Sequence, residues 1–247
     1  MRRAIVFSTA IMAVLIIMNQ AGSADPPNPI ALIDKALEVG GGADRIAKFK
    51  AVSVQADSKS PDGKGTVTGS FAVPNLTRLV LEDQGEGKKK SHIVFDGEHC
   101  WIKEGSDETV EKTETDTTIF RNFVHMLSMP DTLMALKGNE YRLAADGQEM
   151  IDGKEAAAIR VSRAKHNDIR LFFDKISGLP VKSETQLKGR NGDEVKCEIF
   201  FGDYKVFDGV KHFTRLQVRY AGEDVMEITI KELNLSDKFD PKTFAKP

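Results

Sequence analysis

From Ile169 to Phe213 short runs with one apolar face alternate with tight-turn dipeptides. That punctuation leaves room for little besides a meander of antiparallel strands. Ile169, Leu171 and Phe173 fall on one side of an extended segment, because successive strand side chains point to opposite faces. Asp174 and Ser177-Gly178-Leu179-Pro180 turn the chain, with Gly178 free to take positive φ and Pro180 opening the next strand. Val181–Lys188 runs back to Arg190-Asn191-Gly192-Asp193, whose Asn-Gly pair is the strongest short-range hairpin signal. Val195, Cys197, Ile199 and Phe201 return with period two, and Asp208-Gly209 turns the chain again into Val210–Tyr220.

The same grammar governs most of the chain. Val52–Lys59, Thr66–Val73, Leu76–Glu82, Ser91–Phe95 and His99–Lys103 read as strands. They are divided by Pro61-Asp62-Gly63, Pro74-Asn75, Gly85-Glu86-Gly87 and Asp96-Gly97. After Gly138 come Tyr141–Gln148, Ala156–Ser162 and Asp168–Asp174, with Asp146-Gly147 and Asp152-Gly153 as turns. Val225–Leu235 alternates Met226, Ile228 and Ile230 with Glu227, Thr229 and Lys231, as in a sheet packed on one side. Asp240-Pro241 begins a terminal turn whose Phe239 and Phe244 cover a sheet edge or a barrel end. Strands this short and this regularly punctuated predict an antiparallel sheet that curls.

Helical spacing is confined to three places. Ile30–Val39 carries Ile30, Ile33, Ala36 and Leu37 and is stopped by Gly40-Gly41-Gly42; Ala43–Lys50 reads as a second short helix. In Asp116–Lys137, Ile119, Phe123, Met126 and Leu127 share a helical face, and Pro130-Asp131 is expected to end one helix and begin another. Met is flexible and polarizable, so a Met- and Phe-rich helix over a sheet either lines a pocket for varied apolar ligands or packs as ordinary core. Both readings stay open.

Residues 1–24 read as a secretory signal peptide: Arg2 and Arg3, the apolar run Ala4–Met18, then Ala21-Gly22-Ser23-Ala24. The run is shorter than the ~20 residues of a membrane-spanning helix, and the segment has no cysteine to carry a lipid. Residues 25–247 are expected to form one exported domain, periplasmic or secreted, opening on an extended Asp25-Pro26-Pro27-Asn28-Pro29 leader. Without the leading 24 residues, 33 basic residues stand against 37 acidic ones, a charge of −4, which argues against a nucleic-acid partner. Lys88–Lys90 reads as a solvated hairpin tip. Cys100 and Cys197 both fall on strands; an oxidising compartment permits a disulfide, but two separately buried thiols are the favoured reading.

Signatures of catalysis are missing: no GxSxG elbow, no HExxH, and five histidines at no ligand spacing. His99 and Cys100 face opposite sides of a strand, while His92 and His99 could meet across Asp96-Gly97. The expectation is a non-enzymatic protein with no cofactor and no metal.

The succession LFFDKISGLPVKSE, GDYKVFDGVKHF and ITIKELNLSDKFDPKTF resembles the C-terminal half of bacterial lipoprotein-carrier-like proteins of the LolA/LolB type. Asp96-Gly97 before Trp101, Asp152-Gly153 and Phe239-Asp240-Pro241 with Phe244 extend the resemblance over most of residues 29–247. It implies an α+β, mainly β fold: a strongly curved antiparallel sheet, an incomplete barrel, covered by helices around an apolar cavity. It also implies a lipid, an acyl chain or lipoproteins as ligands, transient contact with a membrane or membrane protein, and a monomer. The family's carriers depend on a lid arginine, and no arginine of this sequence is assigned that role. Candidate lining residues are Phe71, Leu79, Phe95, Trp101, Phe120, Phe123, Met126, Met134, Leu171, Phe173, Leu216 and Met226. The competing expectation is a filled core and a protein that acts through its outer surface.

Overall fold

The computed structural model describes residues 28–247 except 73–74, 86–87 and 189–191. The expected signal peptide, the leader up to Pro27, Pro74, Glu86-Gly87 and Arg190-Asn191 lie outside the described residues. Helix α1 (Pro29–Val39) starts where the Asn28 carboxamide oxygen accepts the amides of Ile30 and Ala31 at 3.0 and 3.4 Å. Pro29, with no amide to satisfy, occupies its first position. The expected second helix is a single turn, α2 (Ala43–Ile46). By Lys50 the chain has joined the sheet, its amide donating to the Ser236 carbonyl at 2.7 Å, so the helix has no length to extend into.

Among the described residues thirteen strands form one antiparallel sheet. The first meander is β1 (Ala51–Ser60), β2 (Gly63–Ala72), β3 (Leu76–Asp83), β4 (Lys90–Phe95), β5 (Cys100–Glu104) and β6 (Val110–Glu111). The second is β7 (Tyr141–Ile151), β8 (Lys154–Arg163), β9 (Ile169–Asp174), β10 (Pro180–Lys188) and β11 (Glu194–Gly202). A small hairpin, β12 (Lys205–Phe207) and β13 (Val210–His212), precedes β14 (Arg215–Tyr220) and β15 (Glu223–Ser236). The spatial order β6-β5-β4-β3-β2-β1-β15-β14-β11-β10-β9-β8-β7 leaves two free edges. The sheet is an incomplete barrel, and the pairing of β1 with β15 joins its two meanders.

Two strand expectations need correction. Val210–Tyr220 is not one strand: it breaks after His212, where Thr214 donates its hydroxyl to the Asp203 carbonyl at 2.6 Å and its amide to the Gly202 carbonyl at 3.1 Å. Asp146-Gly147 is not a turn but a bulge inside β7, opposite β8 between Ala145 and Gln148. Gly147 takes φ +81, and the bulge aims Asp146 at Arg160 and Arg170, 3.0 and 2.9 Å away. The turn is made six residues later by Asp152 and Gly153, both at positive φ.

Helix α3 (Glu114–Leu127) lies across the concave face, its amide end capped by the Thr113 hydroxyl, which accepts from the Asp116 amide at 3.2 Å. The second helix expected after Pro130 is instead two isolated 3-10 turns, Met129–Asp131 and Ala135–Lys137. Proline supplies no amide to a continuing ladder, and Gly138 ends the segment in an extended conformation. Between α3 and the second meander the core is full: Met126, Met129, Leu136, Ile159, Leu171, Phe173 and Ile199 are at most 1% exposed.

On the convex face of that same meander lies a charged layer. Lys182, only 3% exposed, meets Glu184 at 2.7 Å and Glu198 at 2.9 Å. Lys196 reaches the same two carboxylates at 3.0 and 2.9 Å, and Arg170 reaches Glu184 at 2.6 Å. Both lysines touch Glu184 Oε2 as ion-pair contacts off the hydrogen-bond axis. The Phe172 ring underlies the layer, with the Lys182 ammonium 4.6 Å and the Arg170 guanidinium 4.8 Å from its centre. Burial alone would raise the Glu184 pKa, but Lys182, Lys196 and Arg170 outweigh it and hold the carboxyl at about 2.

Candidate functional site

The first meander and the β14–β15 pair carry small, β-branched side chains on the concave face, and the helix above them does not reach all of these. Val52, Val54 and Ala56 of β1 alternate with polar residues, as do Ile228 and Ile230 of β15. On β2, Gly69 gives up its side-chain volume to Phe71; a Cβ there would lie 2.7 Å from that ring. From the helical side, Phe120, Phe123, Val124 and Leu127 of α3 project at i, i+3, i+4 and i+7. These surfaces enclose an apolar cavity of about 220 Å³.

One end of this cavity is polar. Asp131, in the first 3-10 turn, lies 3.1 Å from His212 Nε2, while His212 Nδ1 lies 2.8 Å from the Phe213 carbonyl. Burial would depress the His212 pKa, but the Asp131 charge and the Phe213 carbonyl raise it above the ordinary 6.5. The pair ties the segment after α3 to the β13 hairpin.

On the other side, Phe120, Phe123, Val218 and Met226 also line a more open apolar cleft of about 500 Å³. Cys100 and Cys197 reach that cleft as free thiols. Burial pushes them to about 11 and about 12, so both stay protonated and unreactive at neutral pH.

Of the candidate lining residues, six surround the cavity: Phe71, Leu79, Phe120, Phe123, Leu216 and Met226. Phe95 lies behind them, edge-to-face with Phe120 at 5.9 Å. Met126, Leu171 and Phe173 are sealed in the filled core, and Met134 is 40% exposed beside the second 3-10 turn. Trp101 stacks on His99 at 5.5 Å and donates its indole N–H to Glu111 at 3.3 Å. The lining contributed by Val52, Val54, Ala56, Val67, Ile228 and Ile230 escaped the sequence reading. Its signal was the period-two alternation of small apolar residues, which marks a face but not a void.

His92 and His99 do not meet: His92 opposes Lys103 across β4 and β5, and His99 packs against Trp101. Among the described residues no three His, Cys, Asp or Glu side chains could hold a metal together. No helix among them is long and apolar enough to cross a membrane.

No family model matches the sequence, and no curated protein matches it. Likeness appears among solved structures. A LolA superfamily protein from Nitrosomonas europaea superposes with a TM-score of 0.56 at 14% identity, covering 89% of this chain and 98% of that one. A DUF1329 family protein from Desulfovibrio piger gives a TM-score of 0.53 at 13% identity, with the same coverages of 89% and 98%. Agreement along nearly the whole of both chains establishes that this chain has a LolA-like fold.

Proposed function

We propose that this protein is an exported, non-enzymatic binder of hydrocarbon chains, taking a lipid, an acyl chain or a lipidated protein into the apolar cavity under α3. Periplasmic carriage of that ligand is a role such a site supports. The supporting observation is the cavity's composition: about 220 Å³ lined almost wholly by apolar side chains, with a second apolar space sharing four of them. At roughly 30 Å³ per water-sized group the closed part alone holds on the order of seven methylenes. Burial of each stabilises by about 0.8 kcal/mol, so this part contributes roughly 6 kcal/mol before any polar contact. Phe71, Leu79, Phe120, Phe123, Leu216 and Met226 are the proposed contacts.

Native mass spectrometry of protein purified without detergent, followed by organic extraction, tests this reading. Extra mass that extracts as acyl chains or phospholipid is the expected result. Val67→Phe, which puts a ring into the void, should remove that mass while the protein stays folded. An apo mass that does not shift on adding fatty acid or lysolipid overturns the reading and directs attention to the outer surface.

A further inference from the structure

Around α3 the solvent-accessible space changes character in an ordered way. Glu114, Thr118 and Asn122 form one row along the helix at i, i+4 and i+8, and they face a polar notch of about 760 Å³. In the neighbouring row Ile119 lines both this notch and the open apolar cleft, and Leu187 of β10 does the same from the sheet. The following row, Phe120 and Phe123, lines both the cleft and the closed cavity. The three spaces therefore adjoin through shared wall residues, in the order closed and apolar, open and apolar, open and polar.

The notch exists because β10 and β11 outrun β9. The β9–β10 pairing ends at Arg170 opposite Glu184, whereas β10 and β11 stay paired out to Lys188 opposite Glu194. Asn167 fills part of the gap, donating its carboxamide to the Gln186 carbonyl and its amide to Asn122 at 2.9 Å. The cationic lining is Arg160, Arg170, Lys188 and Lys196. The anionic lining is Glu114, Asp168, Glu184 and Glu194, equal in number. Arg170, Lys196 and Glu184 are committed to the charged layer, and Arg160 lies 3.0 Å from Asp146 and 3.8 Å from Asp168. Lys188, Glu114 and Glu194 make no ion pair among the described residues.

We infer that the notch is a head-group site, and that the ligand is a single-chain amphiphile with a zwitterionic head. The inference rests on the hydrocarbon-binding reading above: the tail fills the cavity and cleft, and the head emerges between Ile119 and Leu187. Lys188 and Glu194 oppose each other across β10 and β11, so a lone anion at Lys188 also meets Glu194 and a lone cation at Glu194 also meets Lys188. A head carrying both charges places its anionic group at Lys188 and its cationic group at Glu194. A neutral head engages neither.

Titration calorimetry with dodecylphosphocholine, dodecanoate and dodecanol, each below its micelle concentration, separates tail from head. The zwitterion should bind about tenfold more tightly than either of the others, equivalent to about 1.4 kcal/mol. In the double variant Lys188→Gln/Glu194→Gln its affinity should fall to the dodecanol level, with dodecanol itself unchanged. Equal affinity for all three heads, tightest binding of dodecanoate, or a preference that survives the double variant overturns the head-group site and leaves the tail site standing. Failure of all three to bind overturns both.

Discussion

The two meanders of this sheet use their concave faces differently. Under the second, Met126, Met129 and Leu136 come down from the helical layer onto Ile159, Leu171, Phe173 and Ile199, and all seven are at most 1% exposed. Under the first, the sheet offers Val, Ala and Leu with Phe71, α3 offers half-buried Phe120 and Phe123, and a void remains. The second meander also carries its charges in a layered network on the convex face, whereas charges along β1 and β15 stay exposed, as in Lys231 with Asp57 at 3.0 Å. One half of the sheet is built for stability and the other gives up packing density for room. That division can be tested at single residues.

The largest effect is expected in the filled half. Phe173→Ala should lower the unfolding free energy by about 4 kcal/mol in denaturant titration, since a fully buried ring leaves a cavity its neighbours cannot close. Phe123→Ala, beside the existing void, should cost less than about half of that. Equal losses at the two sites would break the comparison. Next comes the charged layer: Glu184→Gln should cost about 3 kcal/mol at neutral pH, because it leaves Lys182 buried without its nearest anion.

The same carboxylate predicts a pH dependence. Its folded value of about 2 lies below the ordinary 4.5, so the stability it contributes is complete above 4.5 and is lost as pH falls from there toward 2. Unfolding free energies measured across that window should slope downward in the native protein and flatten in Glu184→Gln. The smallest effect belongs to the first meander's surface. Replacing Lys88, Lys89 and Lys90 together by Gln should leave the unfolding midpoint and apolar binding unchanged, because the Lys90–Glu82 pair is half exposed on both sides. A clear loss of binding would make that hairpin part of the site.

What could be read from the sequence was what local chemistry decides. Asp208-Gly209, Asp152-Gly153 and Ser177-Gly178-Leu179-Pro180 turn where backbone conformation demands it, and the strands between them follow from alternation. Asp146-Gly147 has the same two letters and makes a bulge, because a partner strand on β8 continues past it. The charged layer was illegible for a related reason. Lys182 and Glu184 sit on the alternate positions that normally mean solvent, and only the approach of Lys196, Arg170 and Glu149 closes them in. For the cavity, the aromatic residues of α3 announced themselves, but Met126 and Phe173 carry the same letters and are plain core. Whether an apolar residue faces a partner or a void depends on the lengths of elements far away in sequence.

An open sheet of this width has a hazard that closed barrels avoid, since unpaired backbone at its rims can recruit another chain. Here one rim is the two-residue strand β6, too short to template anything. The other is β7, where the Asp146-Gly147 bulge interrupts the row of donors and acceptors and places a carboxylate at the break. The bulge that the sequence disguised as a turn is therefore also the kind of edge irregularity that disfavours edge-to-edge pairing, which an unfinished barrel needs more than a closed one.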